Sequence, residues 1–222
     1  RLAKTLEAAG MKLFNSASAI ELCDDKSLTH IALMNRVPQP KTVLIPLTFP
    51  RVGYTDCAFL EKIAAYLGFP LVIKQCFGSF GAGVYLARNM DEAKAALMKT
   101  AGGAAIAQQY IASSFARDIR AYIVGDKVAA AMLRHNESGD FRANVAQGGK
   151  ADAYTLSEAQ AVLAVKTAQL LGCTFAGVDL LFGENGEMTV CEVNSNAHFA
   201  GISAATGVNI ADKIIEAVTQ RI

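Results

Sequence analysis

The chain has 222 residues, 52% of them apolar, enough for one large domain or two small ones. Its 21 Lys and Arg against 20 Asp and Glu leave a net charge of +1, which gives no electrostatic ground for a nucleic acid or an anionic membrane as partner. No run approaches the ~18 consecutive apolar residues of a membrane span, and five scattered cysteines without a C-x-x-C pair read as free thiols of a reducing, cytoplasmic compartment rather than a disulfide framework or zinc site.

In chain order, RLAKTLEAAG reads as a helix closed by Gly10, and MKLFN (11–15) as a short strand. DDKSLTHIALMNRV (24–37) has an acidic first turn and helical apolar spacing, and Pro38 and Pro40 stop it. There follow a strand TVLIP, a helix over 56–68 ended by Gly68, a buried strand PLVIKQ, a second strand GVYLAR and a helix over 90–101. Beyond Gly102 and Gly103 the texture changes to longer strands on short turns: AIAQQYI, ARDIRAYIV and KVAAAML. A helix from Thr155 to Leu171 opens on the T-x-x-E capping box of Thr155 and Glu158. A hairpin and the helix NIADKIIEAVTQ complete the chain. The pattern is α+β in two lobes that meet near residue 103. No charged-then-apolar leader appears, so no signal peptide is read, and because the chain opens on Arg1 rather than methionine, we expect a piece of a longer protein.

The glycine cluster GSFGAG (78–83) is G-x-x-G-x-G, neither the Walker pattern nor the Rossmann fingerprint. Both of those lead into a helix, whereas VYLARN after it reads as a strand, so Gly78, Gly81 and Gly83 sit at the tip of a hairpin. Such a tip can lay bare backbone N–H groups over phosphates, or be a plain turn. Lys74, ending the strand before it, stands where a cation could reach phosphate oxygens.

A second hairpin carries the acidic groups. In AGVDLLFGENGEMTVCEVN, Asn185-Gly186 is a two-residue turn signal. Glu184 then faces Glu187, Asp179 falls opposite Glu192, and Gly177 opposite Asn194, with Asp179, Glu192 and Asn194 on one face. Like charges ~5 Å apart repel. One carboxyl could keep its proton, with a raised pKa, but a hard divalent cation settles the conflict more simply.

Together with Lys74 and the glycine hairpin, the stretches QQYI (108–111), RDIRAYIVGDKVAAAMLR (117–134), GDFRANVAQGG (139–149), GVDLL (177–181) and CEVNSN (191–196) resemble the ATP-grasp ligases in type and order. The likeness is nearest to the RimK type, which adds glutamate to a carboxylate, and it covers the chain from about Cys23 onward. It implies an ATP-grasp fold, two α+β lobes sandwiching the nucleotide, with lobes at 21–103 and 104–222 and only the tail of a preceding αβ domain at 1–20.

Residue by residue, the resemblance implies that Lys26 and Lys74 contact phosphates beneath the glycine loop, and that Gln109 and Tyr110 hold adenine. Asp118 would bind the ribose side of ATP, and Arg142 and Asn144 the ATP and acyl-phosphate site. Arg120 and Arg134 would lie near the transferred phosphate or substrate, and Asp179, Glu192 and Asn194 would hold two Mg²⁺ or Mn²⁺ ions. Where the family has glutamate this chain has Gln109, which keeps a hydrogen-bonding acceptor without its charge. The implied chemistry is ATP-dependent carboxylate–amine ligation through an acyl phosphate, the metals and Lys74, Arg120, Arg134 and Arg142 neutralising phosphoryl charge.

The implied partners are an amino acid and a carboxylate acceptor, whether a protein C-terminus, a cofactor tail or a small peptide. A homo-oligomer is compatible with the sequence. No nucleophilic side chain is required, and His198, a lone loop histidine, reads as surface. A nucleotide-binding module without ligase activity stays open. A kinase-like phosphotransferase is disfavoured by the absence of an H-R-D motif.

Overall fold

The computed structural model describes residues 1–79, 81–143 and 149–220, with the backbone but not the side chain of Asn185. Asn144 therefore lies outside the described residues. Helix α1 (Leu2–Ala8) has no buried residue. Residues 11–15 form no strand: no sheet edge pairs with them, and Asn15 is bonded into the chain through its side chain instead. Two short helices follow, α2 (Ala17–Asp24) capped by Ser16 and α3 (Lys26–Leu33) capped by Asp25. The single helix expected over 24–37 thus begins later, because Asp25 serves as its cap rather than as part of its first turn.

The first sheet contains β1 (Thr42–Leu44), β2 (Leu71–Gln75), β3 (Val84–Ala87) and β4 (Ala105–Gln109) in the order β1-β4-β2-β3, every pairing antiparallel. Helices α4 (Phe59–Leu67) and α5 (Met90–Thr100) cover one face, burying Leu60, Ile63, Ile73 and Leu97. Strand β4 inserts between β1 and β2, so the first sheet runs past residue 103, and the chain passes to the second sheet only between 109 and 117.

The second sheet, ordered β7-β6-β5-β8-β9, is antiparallel throughout: β5 (Arg117–Val124), β6 (Lys127–His135), β7 (Lys150–Ala153), β8 (Phe175–Phe182) and β9 (Met188–Asn194). Helices α2, α3 and α6 (Glu158–Leu170) pack on one face over Ile119, Ala121, Val178, Leu180 and Val193. The capping box of α6 is Ser157 with Gln160, two residues later than the sequence signal. On the other face α7 (Ala200–Thr206) and α8 (Ile210–Thr219) cover Tyr122 and Met132 with Ile202 and Ile210. The rest of that face is left to the cleft. Among the described residues no helix is long and apolar enough to cross a membrane.

The β8–β9 hairpin has the expected register at its far end and a different turn at its tip. Gly177, Val178 and Asp179 pair with Asn194, Val193 and Glu192. The tip, however, is a 3₁₀ turn over Glu184–Gly186 closed by the Gly183 N–H on the Glu187 carbonyl (2.6 Å), so Glu184 does not face Glu187 in a two-residue turn. The register shifts by one residue between Asp179 and Leu180, leaving Cys191 as an extra residue in β9. Val190 and Val193, three apart, can therefore both enter the core.

Candidate active site

Period-2 alternation explains what faces the cleft. On β5, Ile119, Ala121 and Ile123 go to the core and Asp118 and Arg120 to the other side; β6 adds Arg134, β8 adds Asp179, and β9 adds Glu192 and Asn194. Opposite them stand β2, the glycine hairpin and the end of β4. The lobes enclose a cleft of about 780 Å³ lined by Lys26, Lys74, Gly78, Gly81, Gln109, Tyr110, Asp118, Arg120, Arg134, Arg142, Asp179, Glu192 and Asn194. Of the residues named from the sequence, only Gly83 among the described ones is outside that lining.

Gly83 closes the hairpin instead. Its carbonyl accepts from the Gln75 N–H (2.9 Å). Its φ of +70° would strain any other residue, and a Cβ there would run into the Gln75 side chain. Lys74 is 9% exposed, and its Nζ donates to Gln108 Oε1 (2.6 Å) and to Cys191 Sγ (3.6 Å) across the lobes. Among the described residues its partners are neutral groups and no carboxylate forms an ion pair with it, so it brings positive charge to the cleft. Lys26 also joins the lobes, donating to the Gly78 carbonyl (3.0 Å) and lying 3.4 Å from Glu192 Oε1. Arg142 is held on both sides: Nε and Nη2 bind Asp140 (3.0 and 2.7 Å), and Nη1 binds the Gly81 carbonyl (2.9 Å).

At the end of β4, Gln109 accepts from the Lys41 N–H (3.4 Å), and Tyr110 meets Phe141 edge-on with ring centroids 6.3 Å apart. Burial pushes the Tyr110 hydroxyl pKa up. Gln108, one residue earlier, was missed in the sequence. Both glutamines of QQYI line the cleft. Gln108 is the inner one, relaying Lys74 to the Thr42 hydroxyl (3.0 Å).

The acidic face differs from the expectation of two repelling carboxylates. Arg120 donates from Nε and Nη2 to the two oxygens of Asp179 (2.7 Å each). Arg134 does the same to Asp118 (2.6 and 2.7 Å) and shares Nη2 with Asp179 (2.8 Å). Two guanidiniums and two carboxylates close a neutral, nearly buried network. Burial alone would raise the Asp179 pKa, but Arg120 and Arg134 outweigh it and hold the carboxyl below its usual range. Burial, with Asp179 nearby, leaves Asp118 raised despite Arg134. Arg134 is desolvated too, yet its two carboxylates push its pKa upward. Glu192 is met by Lys26. The alternative of a retained proton is therefore not found at Asp179, because Arg120 and Arg134 already offset its charge.

Among the described residues no three His, Cys, Asp or Glu side chains gather as a ready metal cage. The available donors are Glu192, Asn194 and Asp179. Glu192 and Asn194 fit a hard cation: both offer oxygen, both face the cleft, and the buried Asn194 Nδ2 has no partner among the described residues, so no bond through it fixes the amide. Asp179 is engaged through both oxygens by Arg120 and Arg134, so a cation there competes with two guanidiniums.

The family described as RimK-like ATP-grasp domain matches residues 23–218 of the chain. A protein named probable alpha-L-glutamate ligase from Rhodopirellula baltica is 37% identical over 212 residues, 94% of this chain and 50% of that protein, so the chain spans half of that relative. One of the same name from Legionella pneumophila is 36% identical over 218 residues, 97% of this chain and 70% of the relative. Among solved structures, a RimK domain ATP-grasp protein from Sphaerobacter thermophilus aligns with a TM-score of 0.73 at 23% identity, covering 97% of this chain and 75% of its own. The D-alanine–D-alanine ligase of Bacillus anthracis complexed with ATP aligns with a TM-score of 0.76 at 20% identity, covering 99% and 74%. At such identities these two likenesses speak for the fold.

Proposed function

The chain belongs to the RimK-like ATP-grasp family, and from that premise we propose that it is the nucleotide-binding and catalytic part of an ATP-dependent carboxylate–amine ligase, acting in the cytoplasm. The observation that carries the reading is the cleft itself. It gathers, from both lobes, a buried lysine held only by neutral partners among the described residues, a glycine hairpin and an oxygen-donor pair around a space of about 780 Å³. A volume of several hundred Å³ suits a small-molecule ligand.

In this reading the phosphates lie between the glycine hairpin and β9. Lys74 meets them from β2, its partners among the described residues being the neutral Gln108 and Cys191; Lys26 does so from the side of Glu192, and Arg142 from its perch on Gly81. Gln109, Tyr110 and the apolar Val72 and Leu181 flank the base, and Asp118 lies on the ribose side. Glu192 and Asn194, with Asp179 after partner exchange, would hold Mg²⁺ or Mn²⁺, one ion or two. A divalent cation there would neutralise phosphate charge and fix the phosphate chain for in-line transfer.

A substrate carboxylate oxygen attacks the γ-phosphorus, the bond to the ADP oxygen breaks, and an acyl phosphate forms. An amine then attacks the acyl carbon, phosphate leaves, and the amine loses a proton as the amide forms. The chain's own part is to orient and neutralise. Arg120 and Arg134 bind Asp179 and Asp118 through Nε and Nη2, so they can meet phosphoryl charge through Nη1 or by releasing a carboxylate. The names of the relatives support glutamate as the amino acid added, to a carboxylate acceptor such as a protein C-terminus, a cofactor tail or a small peptide.

The test is formation of ADP and phosphate from Mg-ATP by the chain, with and without glutamate and a panel of carboxylate acceptors. Dependence on both co-substrates is the expected result. Tight Mg-ATP binding with no dependence on any amine and acceptor would make the chain a nucleotide-binding module instead.

A further inference from the structure

The segment before α2 lies outside the matched stretch 23–218, yet one of its side chains is built into the end of the cleft sheet. Asn15 is 3% exposed. Its Nδ2 donates to the carbonyls of Phe175 and Ser195 (2.8 Å each), and its Oδ1 accepts from the N–H groups of Thr174 (2.5 Å) and Phe175 (3.2 Å). Both amide hydrogens and both lone pairs are used, which is all a carboxamide can offer.

These bonds join the start of β8 to the residue just after β9. The β8–β9 ladder stops at the Gly177–Asn194 pair, and Asn15 bridges the strands beyond it. Ser195 follows Asn194 directly and lies three residues past Glu192, the two residues whose side chains face the cleft as oxygen donors. Ser195 is 4% exposed, and neither its hydroxyl nor the Asn194 Nδ2 has a partner among the described residues. Side-chain bonds at 194 and 195 therefore do little to fix the backbone there, while the bond from Asn15 to the Ser195 carbonyl fixes it from outside the sheet.

We propose that Asn15 is a positioning residue for the Glu192–Asn194 end of the cleft, acting through the Ser195 carbonyl to hold both oxygen donors where a metal-bound nucleotide needs them. This rests on the nucleotide reading above. It makes the segment ahead of the matched stretch a working part of the site, and it predicts a defect confined to the metal-dependent part of binding.

The isosteric variant Asn15→Asp keeps the acceptor side and sets an oxygen against two carbonyls. ADP binding is measured by calorimetry with Mg²⁺ and in chelator, beside melts of the unliganded chain. A stability control is Leu171→Ala, 2% exposed in the core of the second lobe. At a temperature where every chain is folded, Asn15→Asp weakens Mg-ADP by about tenfold or more and metal-free ADP by less than about twofold, the size of loss usual for an outer partner of a ligand. Leu171→Ala leaves both affinities at the wild-type values.

Equal affinities for Asn15→Asp and wild type overturn the proposal, as does an equal loss with and without Mg²⁺, or the same Mg²⁺-specific loss in Leu171→Ala. Asn15→Ser, smaller and able to admit a water, is the second variant. If neither variant folds, Asn15 is a folding residue and the proposal falls. Absence of Mg-ADP binding by the wild-type chain overturns the nucleotide reading, and this inference with it.

Discussion

Asp179→Asn tests the charge network, and its sign separates two pictures of the site. If Asp179 chiefly repelled Glu192, removing its charge would leave the unliganded chain as stable or more so. In the structure both its oxygens are taken by Arg120 and Arg134, and its side chain is 6% exposed. Removing one partner of a buried ion network costs about 3–5 kcal/mol. Asn keeps one acceptor oxygen, so the lower end applies, roughly 3 kcal/mol. For a chain of this size that corresponds to a fall in Tm of roughly 6–12 °C. The pH dependence follows from the depressed Asp179 pKa. Its contribution is complete above the unfolded value of about 4 and is lost as pH falls through the lower folded value, so the gap between variant and wild type is full at pH 7 and narrows in acid. Calorimetric or fluorescence melts without nucleotide at several pH values are the assay. A variant melting at or above wild type at pH 7 would refute the guanidinium-clamped picture.

Three further outcomes are expected. Lys74→Met should leave the unliganded Tm unchanged or raised, since a buried ammonium without a carboxylate is costly, while weakening nucleotide by about 10–100-fold, the value of a charge-assisted bond of ~1.5–3 kcal/mol; titration calorimetry beside melts reads both. Gly81→Val places a β-branched residue at φ +75° beside the cleft and should lower nucleotide affinity by about tenfold or more for a backbone strain of ~1–2 kcal/mol, with the melt showing a folded chain. Glu192→Gln should reduce Mg²⁺-dependent ADP binding about 10–100-fold and spare binding in chelator, checked in the same titrations.

Much of the site was legible because it rides on alternation and glycine chemistry. The facing of Asp179 and Glu192 was readable, although by two compensating errors. The turn at 184–186 is longer than Asn185-Gly186 suggests, and the bulge at Cys191 restores the register just before Glu192. A bulge leaves no local sequence mark, since the pairing that makes it is a property of two strands. The division near 103 marks a real change of texture, but β4 was assigned across it because strand order within a sheet is set by long-range pairing. The arginine clamp was hidden for the same reason: Asp118, Arg134 and Asp179 come from three strands whose order in the sheet is not written in any one of them. Gln108 was within reach, because a glutamine next to Gln109 at the end of the same strand lies beside the same cleft. Asn15 was not, since its partners lie about 160 residues away and nothing near it signals a buried carboxamide.

The clamp also fixes the order in which metal and nucleotide can bind. Without nucleotide the donor set is short of free charge: Asp179 is committed to two guanidiniums and Glu192 to Lys26. A lone divalent cation must compete with two nearly buried guanidiniums for Asp179, and must also approach six cations, Lys26, Lys74, Arg117, Arg120, Arg134 and Arg142, that line the same cleft. A nucleotide brings the anionic oxygens that change both conditions. Phosphate can satisfy Arg120 or Lys74, release Asp179 and cancel the local positive charge. Metal and nucleotide are therefore expected to bind with positive coupling, each raising the other's affinity by the same factor. A factor of at least about tenfold, or ~1.4 kcal/mol, is expected from a single exchanged charged contact. Titrating MgCl₂ into the chain alone should give no binding below about millimolar, whereas ADP should bind more tightly with Mg²⁺ than in chelator, and Asp179→Asn should lower the coupling along with the affinity. Micromolar binding of Mg²⁺ to the unliganded chain would mean that the carboxylates are free before nucleotide arrives, and the clamp would then not be the resting state of the site.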